Sequence, residues 1–151
     1  MVRYLKVILL ISGILIFSVL TQPAFGKNQV LTNIKVIHAS TGSNYLDPSL
    51  KSIISELESV FKYTSYRLLK DKKLDLHFNQ SGSVNLPGKR TMVVTPLSTD
   101  NKRIKYQIEI LKNKNSVFQT RILLKNNSSI TIGGPKFKNG YLLFNISGSL
   151  M

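Results

Sequence analysis

The chain has 151 residues, with 21 lysine and arginine residues against 7 aspartate and glutamate residues, and it contains no cysteine. A chain of this length builds a single domain, and without cysteine it cannot be a small disulfide-bonded scaffold. The formal charge of +14 favours anionic partners, because long-range attraction selects the sign of a charge and little else.

The first 26 residues have the pattern of a secretory signal peptide. Arg3 and Lys6 form a basic start, residues 7–20 are an apolar run, and Ala24 and Gly26 supply small residues at a cleavage site. The alternative prediction is an uncleaved membrane anchor, which is disfavoured because the run is shorter than the roughly 20 residues that a membrane-spanning helix needs. We expect cleavage after Gly26 and export to the periplasm or the extracellular space.

Residues 27–151 are predicted to form one β-rich domain, in which 19 basic and 7 acidic residues leave a formal charge of +12. Residues 30–39 are predicted to form the first strand. Apolar side chains occupy both of its faces, for example Ile34 and Val36 on one and Leu31 and Ile37 on the other. This pattern favours a strand well inside a sheet.

One amphipathic helix is predicted to begin at Asp47 and to end at Phe61. Asp47 is a good N-cap, and Pro48 suits the first helical position, where its missing N–H costs nothing. The apolar stripe at helical spacing consists of Leu50, Ile53, Ile54, Leu57, Val60 and Phe61. We expect this stripe to cover a sheet.

Beyond Phe61 the apolar period changes from 3.6 to 2, which indicates strands. Residues 63–70 and 74–79 are predicted to form a hairpin around a polar turn at residues 70–73. Residues 80–88 are predicted to be a loop or a short edge strand, and residues 90–95 a strand that Pro96 ends. Further strands are predicted at residues 103–111, 116–125, 128–132 and 141–147, with a glycine-rich loop at residues 133–140 that needs a positive φ. The predicted fold class is α+β and mostly antiparallel: a sandwich or a strongly curled sheet of about seven strands with one helix after the first.

Reactive side chains are scarce. His38 and His77 are single histidines without a neighbouring nucleophile motif, and we expect both to be structural or exposed rather than catalytic. No ligand set with metal-binding spacing is present, so no metal and no cofactor are predicted. A hydrolase that uses His38 or His77 is the third hypothesis for function.

Basic residues gather at predicted turns and strand starts, where several could share one rim of a sandwich. Lys112 and Lys114 occupy one such turn. The alternative interpretation is that these are solvated turns and edge strands guarded by lysine. The candidate polyanion contacts are Lys70, Lys72, Lys73, Lys89, Arg90, Lys102, Arg103, Lys105, Lys136 and Lys138.

Several short motifs are spread over nearly the whole of residues 27–151. They are Ala39-Ser40, Asp47-Pro48-x-Leu50, Tyr63-x-Ser65-Tyr66-x-Leu68-Leu69, Leu86-Pro87-Gly88 with Arg90, Ile132-Gly133-Gly134-Pro135 and Gly140-x-Leu142-Leu143. Together they resemble the motifs of a group of small exported bacterial proteins of uncharacterised function. The resemblance implies a bacterial envelope or extracellular setting, and it carries no activity.

We favour a non-enzymatic exported module that uses a sheet edge or its basic rim to bind a partner protein of the envelope. The alternative is a basic polyanion-binding protein whose ligand is anionic lipid, lipopolysaccharide or acidic glycan. Nucleic acid is not expected as a partner, because the aromatic residues lie in core phase rather than on a stacking platform. Membrane contact would come through the basic surface or an uncleaved leader.

Overall fold

The structure, a computed structural model, describes residues 29–151, so the predicted signal peptide lies outside the described residues. The described chain forms nine strands and one α-helix. In chain order they are β1 (Gln29–Ser40), β2 (Tyr45–Leu46), α1 (Ile54–Val60), β3 (Ser65–His77), β4 (Gly82–Leu86), β5 (Arg90–Asp100), β6 (Arg103–Lys112), β7 (Asn115–Lys125), β8 (Ser128–Phe137) and β9 (Gly140–Leu150).

The strands form two sheets. The large sheet has the order β2-β3-β1-β9-β8 and curls into a half-barrel, while the small sheet has the order β4-β5-β6-β7. All neighbours are antiparallel except β2 and β3, which run parallel over two residue pairs. The predicted α+β, mostly antiparallel class is therefore confirmed, and β1 lies inside the large sheet as its two apolar faces indicate.

The main core fills the space between the two sheets. It takes alternate residues of β1, β6 and β9, such as Ile34, Ile108 and Phe144. Thr32 of β1 and Tyr106 of β6 form a buried hydroxyl–hydroxyl hydrogen bond of 2.9 Å across this space. Gly148 of β9 makes room for that bond, since a Cβ there would overlap the hydroxyl of Tyr106.

The helical segment covers the outer face of the large sheet and forms a second core. Leu50 and Leu57 are fully buried against Ile37, Ala39 and Tyr66. The hydroxyl of Tyr66 donates to the carbonyl of Phe61 at 2.9 Å and so ties the end of α1 to the sheet. The molecule therefore has three layers, with the helix outside.

The predicted continuous helix from Asp47 to Phe61 is wrong in its extent. The segment begins with a 3-10 helix at Pro48–Leu50, which Asp47 caps, and α1 covers only Ile54–Val60. Val60 is 64% exposed, so it does not belong to the buried stripe. Leu50 and Leu57 reach the sheet from separate short elements, because tertiary packing overrides weak local helix propensity.

The predicted hairpin at residues 63–79 is also wrong. β3 is one continuous strand that pairs with β1 from Ser65 to His77, and residues 70–73 lie within it. A bulge at Leu69, where the register shifts between Val36 and Ile37, resets the alternation. A run of charged residues thus resembles a turn in the sequence, although it is a solvated strand.

Two predicted strand ends are corrected as well. β5 continues through Pro96 to Asp100. A bulge between Pro96 and Ser98 accommodates the proline, and the pairing of β4 with β5 ends at Val94, so Pro96 does not have to donate an N–H to β4. β8 continues through the predicted glycine-rich loop to Phe137, again with a register shift after Gly133. The positive φ expected in that loop is found at Lys138 (51°). Residues 82–86 form the edge strand β4, as one of the two predicted alternatives stated.

Candidate functional site

The two sheets are joined differently along their two sides. On one side, the ammonium groups of β3 lysines bridge to carbonyl oxygens of β4. Lys70 donates to Asn85 at 3.2 Å and Lys72 donates to Ser83 at 2.7 Å. These bonds satisfy carbonyl groups that the edge strand β4 leaves without a strand partner. This side of the sandwich is therefore closed by side chains.

On the other side, β7 and β8 are the edge strands of their sheets. They do not pair with each other, and the turn at Asn126 and Asn127 joins them at one end. The Asn126 N–H donates to the carbonyl of Lys102 in the β5–β6 turn of the small sheet at 2.9 Å, and the Asn127 N–H donates to the carbonyl of Gly148 in the large sheet at 2.9 Å. The turn thus clamps both sheets at this end, and the two strands separate toward the other end.

Where β7 and β8 separate, the sheets enclose an open cleft of about 390 Å³, which we call the edge cleft. Its lining residues are Arg90, Ile110, Lys112, Val117, Phe118, Gly133, Gly134 and Pro135. Val117 is 56% exposed and Phe118 is 41% exposed. Large exposed apolar side chains that border an apolar cleft are a recognised mark of a binding surface.

Backbone irregularities on both strands shape the edge cleft. The register of β7 with β6 shifts at Val117, between the pairs of Phe118 and Ser116, and the register of β8 with β9 shifts at Gly134 and Pro135. Gly134 permits a close approach, because a Cβ there would overlap the ring of Phe144. Bulges of this kind redirect side chains and stop continued strand pairing. The cleft is therefore a consequence of two bulges that face each other.

Basic residues gather at the end of the fold where the edge cleft opens, and two of them, Arg90 and Lys112, line the cleft. Arg90 pairs in register with Lys112 across β5 and β6, and the turns β4–β5, β6–β7 and β8–β9 all lie at this end. We call this group the basic end, and it consists of Lys89, Arg90, Lys112, Lys114, Lys136 and Lys138. The ammonium group of Lys138 lies 5.4 Å from the ring centre of Phe137.

Acidic residues lie elsewhere. All seven are within the described residues, and none lines the edge cleft. Five belong to the helical segment or to β3, on the outer side of the large sheet. Of the other two, Asp100 lies 3.4 Å from Arg103 at the opposite end, and Glu109 occupies the outer phase of β6. Positive charge at the basic end is therefore not neutralised locally.

The ten candidate polyanion contacts divide into three groups. Lys89, Arg90, Lys136 and Lys138 come together at the basic end, and the structure adds Lys112 and Lys114 to them. Lys70, Lys72 and Lys73 lie along β3, the first two in the bonds to β4. The remaining three, Lys102, Arg103 and Lys105, lie at or near the opposite end with Lys125.

A second, larger cavity of about 510 Å³ lies on the outer face of the large sheet beside the helical segment. Most of its lining residues are polar, among them Asn33, Lys73 and several serines, while Leu31 and Ile53 add apolar surface. A chain of hydrogen bonds borders it: Asn145 donates to Thr131 at 2.9 Å, and Thr131 donates to Glu56 at 3.0 Å. This chain fastens α1 to β8 and β9, which gives the polar groove a structural role.

The two histidines do not share a site. His77 pairs with Gln29 at the start of β1, whereas His38 lies nine residues further along that strand, roughly 30 Å away at 3.3 Å per residue. The ring of His38 is buried edge-on against Phe137, with 5.3 Å between ring centres. Within residues 29–151, no three His, Asp or Glu side chains gather as metal ligands would.

Sequence reasoning did not identify Val117 and Phe118 as site residues. The sequence feature that could have identified them is the presence of apolar residues on both faces of residues 116–125, which is unusual for a strand with one solvated face. Sequence alone could not show that β7 is an edge strand, because that depends on where β8 pairs.

The fold and the site define a β-rich α+β protein with a basic, partly apolar opening between two sheets. A scan of protein-family models found no match for the chain, and searches of curated proteins and of solved structures found no similar protein. Among residues 29–151, no helix has both the length and the apolar character needed to cross a lipid bilayer.

Proposed function

We propose that this protein is an exported, non-enzymatic binding module whose basic end holds an anionic component of the bacterial envelope. One observation carries the proposal: six basic residues in or beside three turns lie at the end of the fold where an apolar cleft opens, and two of them, Arg90 and Lys112, line that cleft while no acidic residue does. Clustered charge of one sign attracts an oppositely charged ligand and raises its local concentration. The leader pattern of Arg3, Lys6 and residues 7–20 supports export.

Capture of a partner protein at a sheet edge is the second candidate function. The free edges of β7 and β8 favour it, since an extended segment can add to an exposed edge. However, both edges carry bulges beside the edge cleft, and Pro135 lacks the N–H that a ladder requires. The basic end is therefore the better supported contact. The hydrolase hypothesis gains no support from the positions of His38 and His77.

Heparin chromatography tests the first proposal. The purified domain should be retained at low salt and eluted by moderate salt, because screening shortens the range of charge attraction to about 8 Å at 0.15 M. The variant Arg90→Gln/Lys112→Gln/Lys114→Gln should elute at clearly lower salt. The matched control Lys102→Gln/Lys105→Gln/Lys125→Gln removes the same charge from the opposite end and should shift elution much less.

Two outcomes contradict the proposal. Absence of retention at low salt would exclude electrostatic binding as the function. Equal shifts for the two triple variants would show that net charge, rather than the basic end, causes retention.

A further inference from the structure

We infer that the edge cleft binds the apolar chain of an anionic amphiphile, such as a long-chain carboxylate or an anionic phospholipid, with the anionic head group at Arg90 and Lys112. The inference rests on the proposed function and names the class of ligand that the basic end holds. It follows from the strand phase of two cations and from the apolar character of the surface beside them.

Arg90 and Lys112 occupy inward-phase positions. On β5, Met92 and Val94 point into the main core, and Arg90 is in the same phase; on β6, Ile110 points inward and Lys112 follows it in phase. Both cations line the edge cleft at this end of the core, and the guanidinium group of Arg90 lies beside Gly88 in the β4–β5 turn. Their aliphatic stems can line an apolar chain while their charged heads stay at the mouth.

The walls beyond these two cations are apolar. Ile110, Val117, Phe118 and Pro135 line the edge cleft, and β8 lies close to the ring of Phe144 at Gly134. A cavity of about 390 Å³ is within the range of small-molecule sites, which combine an apolar lining with a few placed polar groups. Burial of a chain here would cover the exposed surfaces of Val117 and Phe118.

Other ligands fit this arrangement less well. A neutral apolar molecule would leave two adjacent cations beside it without a counter-charge. An acidic polysaccharide would pair with the cations but would leave Val117 and Phe118 exposed. An added strand is opposed by the bulges and by Pro135. Only a ligand with both an apolar chain and an anionic group satisfies the whole cleft.

Calorimetric titration with three probes separates the contributions of the ligand's apolar chain and of its anionic group to binding. Decanoate carries both, decyl maltoside has only the apolar chain, and inorganic phosphate has only the negative charge. We expect decanoate to bind at one site and the other two to bind at least about tenfold more weakly. Phe118→Ser should weaken decanoate binding by about tenfold, since a large apolar contact is lost.

Leu123→Ser is the matched control, because Leu123 is also 41% exposed on β7 but does not line the cleft. It should bind decanoate like the wild type. Circular dichroism melts of both variants verify folding. Sedimentation with phosphatidylglycerol vesicles distinguishes the ligand sources: Phe118-dependent vesicle binding identifies a bilayer lipid, and decanoate binding without vesicle binding identifies a free amphiphile.

The inference is overturned if Phe118→Ser binds decanoate like the wild type, or if Leu123→Ser weakens binding equally. In either case, wild-type retention on heparin would leave the proposed function intact. Failure of heparin retention at low salt would instead remove the proposed function itself.

Discussion

Asp47 shows how one side chain fixes a connection between layers. One carboxylate oxygen accepts from the backbone N–H of Ser49 at 3.0 Å and from its hydroxyl, and the other accepts from the N–H of Leu68 at 3.1 Å. These hydrogen bonds from Ser49 and Leu68 favour the charged form and lower the pKa of Asp47. The residue predicted as a helix cap therefore also joins the helical segment to β3.

Asp47→Ala should lower the free energy of unfolding by about 1 kcal/mol at neutral pH, the usual cost of losing a cap. A lowered pKa in the folded state means that this contribution is complete above the unfolded pKa of about 4. It is lost as the pH falls through the lower folded value. Urea unfolding should therefore show that the difference between wild type and variant shrinks from pH 7 to pH 2.

Asp75→Ala, which removes an exposed carboxylate from β3, serves as the control for Asp47→Ala and should have a smaller effect. A difference between wild type and Asp47→Ala that does not change with pH would show that the carboxylate does not contribute through these hydrogen bonds.

At the scale of elements, α1 is a cover for the outer face of the large sheet. Its contribution comes from Leu57, with Leu50 from the preceding 3-10 helix, and not from a long regular helix. A seven-residue helix is too short to be stable alone in water, so packing on the sheet must hold it.

Leu57→Asp should destabilise the protein by several kcal/mol, because it places an unpaired charge in a fully buried position. Val60→Asp makes the same chemical change three residues later at a position that is 64% exposed, and it should alter stability by no more than about 0.5 kcal/mol. Thermal melts followed by circular dichroism compare the two. Similar melting temperatures would mean that α1 does not pack on the large sheet.

The apolar period of each strand explains why some elements were predicted and others were not. β6 was predicted nearly to the residue, since Ile104, Tyr106, Ile108 and Ile110 alternate with polar residues and one face is solvated. The sequence pattern wrongly predicts two strands in place of β3, because the charged middle of β3 lies on a solvated edge where the apolar alternation is lost. Local pattern identifies a strand only where burial imposes a period.

At the scale of the whole molecule, the bond between Thr32 and Tyr106 connects the two sheets through the core. Burial raises the pKa of the Tyr106 hydroxyl, and the hydrogen bond with Thr32 partly opposes that shift. The neutral hydroxyl is therefore favoured in the folded state. Its contribution to stability is complete below the unfolded pKa of about 10 and is lost as the pH rises through the higher folded value.

Tyr106→Phe should cost about 1 to 3 kcal/mol, because the buried hydroxyl of Thr32 is left without its partner. The double variant Thr32→Val/Tyr106→Phe removes both polar groups, so it should be less destabilised than the sum of the single variants. Urea unfolding of the four proteins gives the coupling energy. Strict additivity would show that this bond does not couple the sheets.

The sequence by itself determined the β-rich class, the position of one amphipathic segment and the excess of positive charge. These properties depend on composition and on periods over a few residues, which the chain carries locally. It could not show that Arg90 meets Lys112, or that the bulge in β7 faces the bulge in β8. Only the tertiary structure decided these, because register and the choice of free edges depend on pairing between residues far apart in the chain.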